Sequence, residues 1–427
     1  MINVLVFPCG SEIGLEVNNA LKYDKHINLY GLSSVSSHGK LVYKNYIEGI
    51  SFIYEDTFID ELNEIICEKN IDVLVPAYDD VILFLSKHRD SIKCKLVTSS
   101  DNTCEICRSK KKTYDLLRKY DFVPRVYDVN TITKQNLPLF AKPDIGQGSQ
   151  GIKKIEAIED LESILVSNER YVVSELLPGT EYTIDCFTDT DGELIVSSMR
   201  ERKRIKSGIS VNSVAVKMPD EVKTIANIIN REIEFIGVWF FQLKLDAEGK
   251  YKLLEIAPRV AGSMSTSRIR GFNFILNSIY QVMGYKIRAI PHLIDYVEVD
   301  RALSNKYVLD IHYNYIYVDF DDTIITNDGV NPILMAFLYQ SINKGKKLIL
   351  LTRHANEIFE SLEKNKIAYS LFEDVIHLKD EEPKSNSIAH KDAILIDDSF
   401  RERYDVSEKC GIPVFDIDCI EALIDWR

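Results

Sequence analysis

The chain has no apolar run long enough to span a bilayer, so a membrane helix is not expected. Tryptophan occurs only twice. Basic residues are in the minority: 52 Lys and Arg stand against 65 Asp and Glu, a net charge of −13. That balance argues against a nucleic-acid partner. Of the 8 cysteines only Cys104 and Cys107 are close, with no second pair at metal spacing and no nearby His, so they read as structural and not as a zinc or redox site. A chain of 427 residues needs no disulfides, and reduced thiols in a cytoplasmic setting are expected. Residues 1–8 are apolar but lack a basic n-region and a small-residue cleavage site, so they read as a first strand and not a leader. There is no Walker A closure, the turn Cys9-Gly10-Ser11-Glu12-Ile13-Gly14 is not a full GxGxxG, and there is no internal repeat and no low-complexity tract.

The chain is 45% hydrophobic and 27% charged, as soluble globular proteins are, and its length favours two or three folding units. Over the first hundred residues, strand patterns at 3–7, 26–30, 71–76 and 95–98 alternate with helical spacing at 12–21, 59–69 and 81–88. Such alternation predicts a parallel sheet flanked by helices, with a ligand crevice at the turn Cys9-Gly10-Ser11-Glu12-Ile13-Gly14. From about 109 to 289 longer alternating strands appear, at 171–176, 181–188, 194–204 and 238–245, and the pattern becomes α+β. Residues 300–306 read as a linker, after which 313–319 opens a second strand–helix alternation.

In that last segment three apolar strands end in polar residues. The first ends in Asp319-Phe320-Asp321-Asp322-Thr323, the second in Thr352 and the third in Asp397-Asp398-Ser399, with Lys384 between the last two. The carboxyl ends of parallel strands share one edge, so these groups are expected to converge. The set resembles the haloacid-dehalogenase (HAD) superfamily of phosphatases. The resemblance implies Asp319 as nucleophile, forming an aspartyl-phosphate, and Asp321 as acid and then base. It implies Thr352 and Lys384 on the phosphoryl oxygens, with Lys379 the alternative lysine. Mg²⁺ would lie among Asp319, Asp321, Asp397 and Asp398. Between Asp319 and Thr352 there is room for one helix and a turn, so no sizeable cap is expected.

The middle segment carries a strand ending in Lys142 and a loop Gly146-Gln147-Gly148-Ser149-Gln150-Gly151 whose N–H groups can turn onto phosphate oxygens. Glu175-Leu176-Leu177-Pro178-Gly179-Thr180-Glu181 follows, then Arg200, Arg202 and Arg204 on one strand face, Gln242, Glu255 and Pro258-Arg259. For the three arginines a solvated face is the plain alternative. As a set, from residue 3 to 289, this resembles the ATP-grasp fold in the branch of carbamoyl-phosphate synthase and the pyrrolysine-type ligases. By that resemblance Lys110, Lys142, Gly146, Gly148, Ser149 and Gly151 hold ATP phosphates. Glu175 and Leu177 meet adenine, Glu181 the ribose, and Gln242 and Glu255 Mg²⁺. Arg259 orients the phosphoryl group or a substrate carboxylate. Where the family has a last metal ligand, an Asn, this chain has Ala257.

The implied fold class is α/β: a pre-ATP-grasp Rossmann-like domain (1–105), an α+β ATP-grasp domain (106–299) and a capless HAD-type Rossmann-like domain (307–427). The implied function is an ATP- and Mg²⁺-dependent carboxylate–amine ligase, ADP-forming through an acyl-phosphate, tethered to a phosphomonoesterase. Surface-polysaccharide or small-metabolite tailoring is its expected setting. Expected partners are a small-molecule carboxylate, an amine and a phosphorylated small molecule, with neither nucleic acid nor membrane, and with a homo-oligomer allowed. Two alternatives stay open: a carbamoyl-phosphate-synthase-like enzyme and a non-catalytic ATP sensor attached to a phosphatase.

Overall fold

In the computed structural model, which describes residues 1–146, 148, 150–167, 170–289, 294–379 and 382–427, the chain forms two units, Met1–Leu303 and Ser304–Arg427. Among the described residues no helix is long and apolar enough to cross a membrane.

The first unit opens with five parallel strands: β1 (Ile2–Phe7), β2 (Ile27–Ser33), β3 (Asn45–Glu48), β4 (Val73–Pro76) and β5 (Lys95–Leu96). Their spatial order is β3-β2-β1-β4-β5. The chain order reverses at β1, so the carboxyl ends of β1 and β4 border the crevice of the sheet. Ser11 fastens that place. Its Oγ donates to Ala77 O (2.7 Å) and accepts from Gly14 N (2.9 Å), capping the helix Glu12–Leu21.

The four-stranded antiparallel sheet that follows has the order β6-β9-β7-β8, from β6 (Val126–Tyr127), β7 (Leu139–Pro143), β8 (Lys153–Ile155) and β9 (Tyr171–Glu175). A six-stranded antiparallel sheet comes next: β10 (Glu181–Thr188), β11 (Leu194–Lys206), β12 (Ile209–Val216), β13 (Gly237–Leu245), β14 (Tyr251–Ala257) and β15 (Glu298–Asp300), in the order β14-β13-β10-β11-β12-β15. One core holds Val4 and Val17 together with Phe187, Val238, Phe240 and Ile279. That core crosses the boundary expected near residue 105, while a further core lies wholly before it (Leu5, Phe58, Leu74) and another wholly after it (Leu117, Trp239, Leu253). Asp300, expected to start a linker, closes the edge strand β15.

The second unit is a parallel sheet of β16 (Tyr315–Val318), β19 (Lys347–Thr352), β20 (Asp374–His377), β21 (Ala393–Ile396) and β22 (Val414–Phe415), in the order β20-β19-β16-β21-β22. Ile316 and Val318 face one core and Tyr317 the other, as expected of a strand covered on both faces. Between Asp319 and Thr352 lie only the two-stranded hairpin of β17 (Ile325–Thr326) and β18 (Gly329–Val330) and the helix Pro332–Asn343.

Candidate active sites

The first unit holds two adjoining cavities, of about 270 Å³ and 590 Å³. Lys142, Glu175, Leu177, Glu181 and Lys244 line the smaller; Glu12, Asp79, Arg200, Arg259, Ser263 and Arg301 line the larger. Lys110, Gly146, Gly148, Arg202, Gln242 and Glu255 line both and so mark their seam.

Register explains the seam. Gln242 on β13 lies opposite Glu255 on β14 and Thr183 on β10, and Thr183 lies opposite Arg200 on β11. Laterally paired residues point to the same face of a sheet. Lys110 opens the helix Lys110–Leu117, and its Nζ donates to Pro143 O at 3.1 Å. Arg108 grips Asp80 (2.7 Å) and donates to Gly146 O (3.2 Å), which holds the start of the glycine loop. Gly148 and Gly151 have φ of +61° and +69°, which glycine adopts without strain. Ser149 lies outside the described residues. Burial lowers the Lys142 ammonium to a pKa of about 8, with Glu255 opposing, and burial also lowers that of Lys110. Two lysines, glycine N–H groups and one carboxylate suit a polyphosphate with a hard cation.

The three arginines of β11 part company. Arg200 is buried, bidentate with Asp185 (3.0 and 3.1 Å), and donates to Ser263 Oγ (2.8 Å). Arg202 bonds Glu181, Gln242 Oε1 (2.9 Å) and Gly208 O (2.8 Å). The register shifts between Arg202 and Arg204, and Arg204 sits exposed against Asp300 (2.9 Å). A shared face holds for the first two only, and the solvated reading fits Arg204 alone. Arg259 is held by Asp79, the first residue of the helix Asp79–Lys87 that follows β4, with Nη2 3.0 Å from Oδ2. Burial works against its charge, and Asp79, with Glu255 and Glu12, more than offsets that. Glu175 Oε1 accepts from Arg125 N at 2.8 Å. No local sequence pattern brings Glu12, Asp79 and Arg301 to one cavity, because they come from segments far apart in the chain.

In the second unit Asp319 and Asp397 leave the ends of β16 and β21. Lys384 Nζ lies 2.6 Å from a carboxylate oxygen of each, and all three side chains are buried. The Thr352 hydroxyl favours the charged form of Asp319. Burial pushes the Asp397 carboxyl up to about 6 against the pull of Lys384, and Asp319 moves the same way. Asp319, Asp397 and Asp398 offer oxygens within 4.8 Å of one another, a spacing that suits a hard cation. Asp321 stands apart from that trio. Its two oxygens lie 2.9 Å from His354 Nδ1, and His354 Nε2 lies 2.6 Å from Ser361 Oγ. The Asp321 side chain is thus outside the carboxylate trio. Lys384, not Lys379, is the lysine at the carboxylates. His354 is absent from the expected set, although it stands only two residues past Thr352 and that spacing could have pointed to it.

Residues 167–303 match the protein family described as "ATP-grasp in the biosynthetic pathway with Ter operon". An acetyl-CoA carboxylase of Dictyostelium discoideum is 26% identical over 171 residues, 36% of this chain and 7% of the relative. A D-alanine–D-alanine ligase of Phocaeicola vulgatus is 30% identical over 74 residues, 16% of this chain and 23% of the relative. The chain spans less than a quarter of the length of either. Among solved structures, N5-carboxyaminoimidazole synthetase from Staphylococcus aureus, complexed with ADP, matches with a TM-score of 0.55 at 15% identity, over 68% of this chain and 78% of that one. An L-amino acid ligase from Bacillus licheniformis matches with a TM-score of 0.53 at 16% identity, over 66% and 74%. These likenesses show a mixed α/β ATP-grasp fold.

Proposed function

We propose that the chain is an ADP-forming, ATP-dependent carboxylate–amine ligase joined to a HAD-type phosphomonoesterase. One observation carries the ligase reading: in an ATP-grasp fold, Lys110, Gln242 and Glu255 meet at the seam of two cavities, with Lys142 in the smaller. ATP fits the smaller cavity, its phosphates on Lys110, Lys142 and the glycine loop and its ribose on Glu181. A carboxylate in the larger cavity then faces the γ-phosphate across the seam. Attack gives ADP and an acyl-phosphate, and an amine displaces phosphate from the acyl carbon. The protein's part is positioning and charge neutralisation. Glu255 is the carboxylate placed to hold Mg²⁺, which when bound offsets phosphate charge.

In the second unit Asp319 attacks the phosphorus of a phosphomonoester, Asp321 protonates the leaving oxygen and later takes a proton from water, and Thr352 and Lys384 hold the phosphoryl oxygens. Asp397 and Asp398 are placed to hold Mg²⁺ beside Asp319.

A hydroxylamine trap with a carboxylate library tests the ligase. Hydroxamate, ADP and phosphate are expected; AMP and pyrophosphate would refute the mechanism. For the phosphatase, Asp319→Asn should abolish phosphomonoester hydrolysis and leave nucleotide binding intact, and undiminished hydrolysis would rule it out. The observation that favours a sensor instead is Ala257 lining the larger cavity, where it can ligate nothing. ATP binding without turnover for any carboxylate would select that reading.

A further inference from the structure

Charge at the seam is unevenly supplied. Among the described residues the only cluster of three or more His, Cys, Asp or Glu side chains able to hold a metal is Asp319, Asp397 and Asp398, in the other unit. Among the described residues of the seam Glu255 is the one carboxylate, and the strand position two residues on is Ala257. Gln242, its cross-strand neighbour, already spends Oε1 on Arg202. A triphosphate with a transferring phosphoryl group carries more negative charge than one weakly ligated cation offsets, so side-chain cations must make up the rest.

Arg202 is built for that place. Its side chain is 7% exposed and lines both cavities. Arg200, Arg259 and Arg301 line only the larger cavity, and Lys142 only the smaller. Lys110 shares the seam but donates to Pro143 O at 3.1 Å. Three oxygens fix the Arg202 guanidinium: Glu181 on β10, Gln242 on β13, and Gly208 in the turn between β11 and β12. That turn needs Ser207 and Gly208 at φ of +50° and +76° to bring the carbonyl within reach. A guanidinium has five N–H donors. Two of the three bonds leave from Nη1 and one from Nη2, which leaves the Nε–H and one Nη2–H for further acceptors, and a guanidinium is the side chain whose donors match phosphoryl oxygens.

We infer that Arg202 is a catalytic residue of the ligase site: it donates to the oxygens of the transferring phosphoryl group and takes the place of a second metal ion there. The inference rests on the ligase reading above. Phosphorus–oxygen bonds break and form as in that reading, and Arg202 keeps its proton throughout.

The test uses the full chain, MgADP, and MgADP with aluminium fluoride as a mimic of the transferring group, followed by calorimetry. Wild type should bind the aluminium fluoride complex at least ~10²-fold tighter than MgADP alone. Arg202→Ala should lose most of that increment while its affinity for MgADP changes by less than about fivefold, as expected of a group aimed at the transferring oxygens. Free guanidinium should restore part of the increment, and free ammonium should not. Arg202→Lys, which keeps the charge but cannot reach three oxygens, should fall between, and it gives the reading if the alanine variant is poorly folded. An increment kept in both variants, or absent from wild type, would overturn the inference. So would an equal loss of MgADP affinity, which would make Arg202 a support for Glu181. Wild type that does not bind MgADP would take down the nucleotide reading itself, an outcome distinct from all of these.

Discussion

Lys142 lines the smaller cavity with Glu255 as its largest opposing charge, and burial brings its pKa down to about 8. Below that pH the folded chain bears the cost of a desolvated ammonium. Between about 8 and the ordinary lysine range the unfolded chain holds a proton that the folded chain has released, so this residue's contribution to stability rises with pH across that window. A triphosphate would pull the pKa back up. Nucleotide binding near pH 8 should therefore take up a proton, seen as a binding heat that scales with buffer ionisation enthalpy, and Lys142→Met should abolish the uptake along with most of the affinity. Arg200 and Asp185 present the opposite case, a buried pair with each partner satisfied. Asp185→Ala leaves a buried guanidinium unpaired and should cost about 3–5 kcal/mol in urea unfolding, whereas the double variant Arg200→Met with Asp185→Leu should recover most of that loss. Asp319, Thr352 and Asp397 were legible in the sequence because parallel strand ends must share an edge, whereas Lys384 lies in a turn off the strand ends and sequence alone left Lys379 beside it. The partners of Arg202 and Arg259 were not, because cross-strand register and the placing of the helix Asp79–Lys87 at the larger cavity leave no local pattern.

The turn after β1 is where element geometry is tightest. A Cβ on Gly14 would lie 2.6 Å from Cys9 O and 2.8 Å from Pro8 O, both backbone atoms that cannot swing away. Alanine is the better helix former by about 1 kcal/mol. Overpacking against fixed backbone costs about 1–3 kcal/mol, so Gly14→Ala should be neutral to destabilising by up to ~2 kcal/mol. By displacing the helix Glu12–Leu21 it should also move Ser11 and Glu12 at the cavity. Chemical denaturation with a nucleotide titration checks both effects, and a clear gain in stability would contradict the packing argument. Strands such as β10 could be read directly, since Glu181–Thr188 runs half-buried into fully buried. β12 and β15 could not. In β12 the buried polar residues Ser210, Asn212 and Ser213 interrupt Ile209, Val211, Val214, Ala215 and Val216, so the strand lacks a clean apolar–polar alternation. β15 is a short, charged edge strand paired with β12, and its composition is that of a linker.

Between β15 and β16 the chain has no regular element, and on the function proposed above two chemistries are carried on one tethered molecule. A tether holds each site at an effective concentration of about the millimolar range for the other's product, if the linker is short. That is useful only if the sites share a compound. We therefore expect the phosphatase to act on the ligase's substrate or product, and the stoichiometry of release reads this out. Ligation yields one phosphate per ADP. With a phosphorylated carboxylate or amine that the ligase accepts, the wild-type chain should release two phosphates per ADP, and Asp319→Asn should return the ratio to one at unchanged ADP rate. A fall in ADP rate in that variant would mean that dephosphorylation precedes ligation, and an unchanged rate that it follows or is independent of it. A ratio of one for wild type with every phosphorylated substrate that supports ADP release would separate the two activities, leaving the fusion with no common compound to explain it.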